Sequence, residues 1–270
     1  MPSLALDRST VHYEDLGESR AGMPALVLLH GFPLDGRVWM SVADQLKSKT
    51  RVIVPDLPGF GRSSVSGSFS IESLADDVET LVARLRAGPF VLAGLSMGGY
   101  IALALGRKSG AMLRGLVLTN TKSGADDEAG KAKRNSMIEI VKARGTPAIV
   151  DLMLPNMLEP DAAKDKSDVV SQLKSIMLDC PQRTIEIALT AMRDRADYTE
   201  LLVKLDIPVL VVHGTADAIM PESSARKMSE QTRNGSFVGI EHAGHLSTME
   251  QPQAVADVIT KFLEEIGATS

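Results

Sequence analysis

Ser96 stands in the run Gly94-Leu95-Ser96-Met97-Gly98-Gly99, after the apolar stretch Phe90-Val91-Leu92 and before Ile101-Ala102-Leu103-Ala104-Leu105. This pattern predicts a strand, a sharp turn and a helix, with the serine on the turn. On so tight a turn the residues two before and two after the serine pass close together, and only hydrogen fits comfortably on Gly94 and Gly98. The spacing G-x-S-x-G therefore reads as a nucleophile elbow, its hydroxyl presented under backbone strain. Glycine-rich turns also bind phosphate, but this run lacks the G-x-G-x-x-G spacing and the lysine such cradles use.

A serine hydroxyl attacks only when a base takes its proton, and the base needs an acid to orient it. Five histidines are available. His12 falls in an N-terminal hairpin, and His30 and His213 end apolar runs just before a glycine. His242 and His245 remain, in the segment "EHAGHLSTMEQP" between the last strand pattern and the last helix pattern. His245 is the expected base, because Gly244 gives its loop freedom; His242 sits nearer the strand, where packing is the better expectation. For the acid, "VLVVHGTADAIMP" places Asp217 directly after an apolar strand, whereas the preceding strand ends "LVLTNTK" with Thr119, Asn120 and no carboxylate. The order Ser96, Asp217, His245 suits a triad.

The tetrahedral oxyanion needs preorganised donors. The backbone N–H of Met97, after the nucleophile, is one; the N–H of Phe32 in "LLHGFPLDG" is the expected second, since Pro33 has none to give. His30 is expected to hold that loop by hydrogen bonding rather than to act as a second base.

These groups must be carried by a scaffold that brings distant segments to one edge. Short Val/Leu-rich runs alternate with amphipathic stretches, the pattern of helices covering both faces of a mostly parallel sheet. Eight strands are expected at 4–7, 11–15, 25–30, 51–55, 90–95, 113–119, 208–213 and 235–240, the first two as an antiparallel edge hairpin. Helices are expected at 38–47, 71–86, 97–107, 223–231 and 252–266. The rhythm breaks between about 123 and 200, where apolar residues recur at helical spacing (Met137, Ile140, Val141; Leu173, Ile176, Met177; Ile185, Leu189, Met192). Four helices are expected there as a cap, 123–200, inserted into a core formed by 1–122 and 201–270.

The segments His30-Gly31-Phe32-Pro33, "DLPGFGRSS" from Asp56 to Ser64, the Ser96 elbow, "HGTAD" ending at Asp217 and "GHLSTMEQP" with His245 together resemble the α/β-hydrolase superfamily. The likeness covers 24–121 and 201–266 and says little about the cap. It implies the α/β-hydrolase fold. A serine at the elbow, rather than an aspartate, argues against haloalkane dehalogenases and epoxide hydrolases. The chain looks most like small carboxylesterases and the 3-oxoadipate enol-lactonase and perhydrolase-like group, and the resemblance implies acyl transfer with no metal and no organic cofactor.

Bulk properties agree with a small-molecule enzyme. The 270 residues are 44% hydrophobic and 23% charged, enough for a large core, and the net charge of −5 lacks a basic run for nucleic acid or an anionic membrane. No stretch approaches the roughly twenty apolar residues of a membrane span. A single cysteine, Cys180, forms no internal disulfide and is expected as a small buried side chain; with no leader-like N-terminus, a cytoplasmic location is the expectation. The expected substrate is a small to medium, mostly neutral ester, with an enol-lactone as the alternative. A hydrolase-like small-molecule receptor with slow turnover is the competing class. Trp39, Leu95, Met153 and Met157 are the expected pocket residues. A carboxylate-bearing substrate would call for a cationic clamp, for which Arg134, Arg144, Arg183, Arg193 and Arg195 are available in the cap. Spacing alone leaves the oligomeric state open.

Overall fold

The computed structural model describes residues 2–108, 112–161 and 166–268. Alternating residues near the N-terminus make the hairpin β1 (Ser3–Ala5) and β2 (Ser9–Leu16), antiparallel and at the sheet edge as expected. The continuous apolar runs become the buried parallel strands β3 (Ala25–Leu29) and β4 (Val52–Pro55). Between them lies α1 (Met40–Leu46) after a single 3₁₀ turn at Gly36–Trp39. A two-residue strand, β5 (Ser64–Val65), pairs with β2 and brings the sheet, among the described residues, to nine strands rather than the eight expected from sequence. Two residues carry no periodicity, and only the neighbouring β2 edge makes them a strand.

The helix α2 (Ile71–Arg84) opens on a reciprocal Ser70–Ser73 cap. Then come β6 (Phe90–Leu95), α3 (Met97–Gly106) and β7 (Leu113–Thr119). Helix α3 is buried from Met97 to Leu105, so it is apolar on every side, as a helix enclosed between sheet and neighbours must be. From β7 the chain runs through α4 (Glu128–Arg144), α5 (Thr146–Met153), α6 (Ser167–Leu178), α7 (Gln182–Asp194) and α8 (Thr199–Lys204). Among the described residues this is one helix more than expected, because Gly145, at φ +74°, separates α4 from α5. Residues 162–165 of the expected cap lie outside the described residues. The chain returns to the sheet with β8 (Val209–Gly214), α9 (Glu222–Gln231), β9 (Gly235–Ile240), α10 (Ser247–Glu250) and α11 (Pro252–Ala268).

The sheet order is β1-β2-β4-β3-β6-β7-β8-β9, with every pairing from β4 to β9 parallel. One apolar cluster joins α2, α3, α4, α7 and α9; a second joins α1, α6 and α11. The carboxyl ends of β3, β6, β7 and β8 thus share one rim, where open α/β sheets place their chemistry. Cys180 is buried, with its carbonyl accepting from the Thr146 hydroxyl at 3.0 Å. No helix among the described residues is long and apolar enough to cross a membrane.

Candidate active site

Ser96 lies between β6 and α3 with φ +53° and ψ −111°, a conformation L residues rarely adopt. Its backbone is held on both sides: its N–H donates to Thr119 O at 2.9 Å, and its carbonyl accepts from Thr121 Oγ1 at 2.8 Å and from the Gly99 N–H at 2.9 Å. The flanking glycines are required by close approach. A Cβ on Gly98 would stand 2.8 Å from His30 O, and one on Gly94 would stand 2.5 Å from Gly99 N, with the Gly98 carbonyl nearer still.

The loop after β3 lies beside the serine, since a Cβ on Gly31 would be 3.1 Å from the Ser96 Cβ. Met97 opens α3, where the first N–H groups have no intrahelical acceptor. Beneath the loop, His30 is buried; its Nε2 accepts from the Leu57 N–H at 3.0 Å and its Nδ1–H donates to Gly31 O at 2.8 Å. Burial lowers its pKa, so it stays a neutral strut, as the sequence implied. The Asp56 carboxylate pins the next turn through the N–H groups of Gly36 (2.8 Å) and Arg62 (2.9 Å).

Asp217 and His245, 28 positions apart in sequence, meet across the ends of β8 and β9: His245 Nδ1 donates to Asp217 Oδ2 at 2.9 Å. The other Asp217 oxygen accepts the N–H groups of Ile219 (2.8 Å) and Met220 (3.0 Å). Burial works to raise the Asp217 pKa, but the His245 imidazole and the hydrogen bonds from His245, Asn120 and Met220 outweigh it, holding the carboxyl down to about 2. His242, by contrast, is not packed: its side chain is 80% exposed, at 3.7 Å from Glu159, on a backbone at φ +55°.

Two residues missed from sequence organise this corner. The Asn120 amide donates to Asp217 Oδ2 and to Gly244 O, and accepts from the Ser247 hydroxyl. Sequence reasoning discounts Asn120 for want of a carboxylate; its signal was the polar residue ending an apolar strand. Glu250 is buried, and its oxygens accept the N–H groups of Gly244 and Glu159, both at 2.7 Å, joining the His245 loop to the segment after α5. Burial raises its pKa.

The expected pocket residues divide. Trp39 is 0% exposed, its indole N–H donating to Leu29 O at 3.0 Å; Leu95 and Met157 are also wholly buried. Met153 lines a cleft of about 410 Å³ together with Lys122, Asp126, Lys133, Arg134 and Ile219. This cleft adjoins the rim: Lys122 follows Thr121, which bonds Ser96, and Ile219 bonds Asp217. Asp126 is buried and holds Lys122 (3.0 Å), Arg134 (3.1 Å) and the buried Arg195 (3.1 Å), which also stacks over Tyr100. Arg193 instead bonds Asn135 and Asp194 on the surface. No cluster of three or more metal-ligating side chains occurs among the described residues.

The chain is similar to known proteins over most of its length. Residues 26–258 match the family described as the alpha/beta hydrolase family. A 3-oxoadipate enol-lactonase of Acinetobacter baylyi is 29% identical over 245 residues, 90% of each chain. A pimeloyl-[acyl-carrier protein] methyl ester esterase of Vibrio campbellii is 26% identical over 264 residues, 94% of this chain and 98% of the other. Among solved structures, a malate-bound thermophilic esterase from Thermogutta terrifontis superposes with a TM-score of 0.94 at 34% identity, covering 99% of this chain and 100% of that one.

Proposed function

The chain belongs to the alpha/beta hydrolase family and is a hydrolase acting on ester bonds; from that premise we propose that it works through an acyl-enzyme on Ser96. His245 takes the serine proton as Oγ attacks the ester carbonyl, then delivers it to the departing alkoxide. Asp217 keeps the imidazole in the tautomer that leaves Nε2 free to accept, and steadies the imidazolium. The N–H groups of Phe32 and Met97 receive the developing oxyanion. Water, activated by His245 in turn, releases the acid. The observation that carries this reading is the 2.9 Å His245–Asp217 bond on the same rim as the strained Ser96 turn.

The core of this reading is 1–122 and 201–270, with 123–200 as a cap over the site. The substrate class we favour is a small to medium ester. A second reading, in which the substrate is a lactone or ester bearing its own carboxylate, is favoured by the Lys122, Lys133 and Arg134 cations that line the cleft against the single acid Asp126. The enol-lactonase relative is in keeping with it. A panel of p-nitrophenyl and methyl esters and lactones, run with Ser96→Ala as control, tests both. Multiple turnover lost in Ser96→Ala is the expected result; single turnover with a ligand-induced rise in melting temperature would point to a receptor instead.

A further inference from the structure

Asn120 follows β7 in the left-handed region, at φ +47°, and is wholly shut off from solvent. Its backbone N–H donates to Val212 O at 2.9 Å, fixing it against β8. From there one amide reaches three places: Nδ2 donates to Asp217 Oδ2 at 2.9 Å and to Gly244 O at 3.2 Å, while Oδ1 accepts from Ser247 Oγ at 2.8 Å. Chemistry fixes this orientation, because a flipped amide would aim its oxygen at a carboxylate and a carbonyl. The side chain therefore touches the acid, the residue before the base and the helix after it.

We propose that Asn120 is a positioning residue for the acyl-transfer site, locking the acid and base loops to each other and sharing, with His245, the one Asp217 oxygen that faces the imidazole. The inference rests on the triad reading above. Its physical content lies in the shared acceptor. An oxygen that already accepts from an amide N–H carries less charge toward the imidazolium, so Asn120 moderates how strongly Asp217 holds the proton on His245. Without the amide, the full charge of Asp217 Oδ2 faces the imidazole and the two loops lose their common tether. The other charged groups around the pair are His213 at the end of β8, Glu222 and Arg226 of α9, and Glu250 of α10 with Lys166 and Glu159 beyond it. They are the same in every variant below, so their contributions cancel in the comparison.

The test compares wild type, Asn120→Gly and Asn120→Asp. Glycine accepts the left-handed backbone and deletes the amide; aspartate keeps the shape and, buried against Asp217, takes up a proton and donates to that carboxylate in place of the amide. For each, kcat and KM on a p-nitrophenyl ester are measured across pH, with melting temperature and fluorophosphonate labelling alongside. The acid limb of kcat/KM moves to higher pH in Asn120→Gly, by on the order of half a unit, and stays nearer the wild-type position in Asn120→Asp, with the loss falling on kcat rather than KM. A limb at the same pH in all three proteins, whatever happens to melting temperature, would overturn the proposal and leave Asn120 a structural residue. Wild type that neither turns over ester nor takes the label would overturn the triad reading itself, a distinguishable failure.

Discussion

The His245 Nδ1 lies 2.9 Å from Asp217 Oδ2, with the two side chains only 2% and 0% exposed. A hydrogen bond so placed is shielded from water and keeps the imidazole from rotating. Asp217→Asn should therefore fold normally and reverse the tautomer preference of His245, lowering kcat by about 10⁴-fold. Stopped-flow or steady-state hydrolysis of a p-nitrophenyl ester measures it; a loss under tenfold would remove Asp217 from the proposed triad.

The same contact makes stability depend on pH. Asp217 is held at about 2, below its ordinary 3.8, so its stabilising contribution is complete above pH 4 and is lost as pH falls toward 2. The amount is on the order of 2 kcal/mol. Melting curves of wild type and Asp217→Asn should differ at neutral pH and converge near pH 2; parallel curves throughout would contradict this.

A third expectation concerns the elbow. A Cβ on Gly98 would lie 2.8 Å from His30 O and closer still to Leu29 O, both backbone atoms that cannot step aside. Gly98→Ala should cost about 1–3 kcal/mol in urea unfolding and also reduce turnover, because the Phe32 loop must shift. Unchanged stability and activity would mean that the turn is looser than the geometry requires.

The Asp126 hub gives a fourth. Asp126→Asn leaves the buried Arg195 guanidinium facing a neutral amide, with Lys122 and Arg134 no longer neutralised. A loss of about 3–5 kcal/mol is expected by chemical denaturation. A loss below 1 kcal/mol would show that the Met192 and Gly124 carbonyls, which also accept from Arg195, suffice.

The cationic cleft separates the two substrate readings. Lys133 is exposed on α4 and lines the cleft, so Lys133→Glu reverses a charge there with little cost to the fold. If carboxylate-bearing esters are bound there, their KM should rise about tenfold while neutral esters are unaffected. Equal effects on both would favour the neutral-ester reading.

Much of this arrangement was legible in the sequence because it is written in local rules. The β6 and β7 boundaries follow from uninterrupted apolar runs, and Ser96 is marked by glycines that only a close backbone approach demands. Asp217 and His245 could be chosen because each occupies a loop after an apolar strand. Other features depend on partners distant in the chain. Ser64–Val65 is a strand only because β2 lies alongside, and the burial of Trp39 depends on partners such as Leu29, whose carbonyl accepts its indole N–H. Asn120 looks like a strand-ending polar residue until the Asp217 and His245 loops fold over it, and His242 was expected to pack although the chain turns it into solvent. The Lys122, Lys133 and Arg134 cluster joins residues from a strand end and a helix, and no spacing rule links them.

The most direct test of the account is covalent labelling. Purified protein treated with a fluorophosphonate probe, digested and read by mass spectrometry should carry one adduct, on Ser96, with ester turnover falling in step; Ser96→Ala, folded by circular dichroism, should carry none. An adduct on another residue, or ester hydrolysis that persists undiminished in Ser96→Ala, would contradict it.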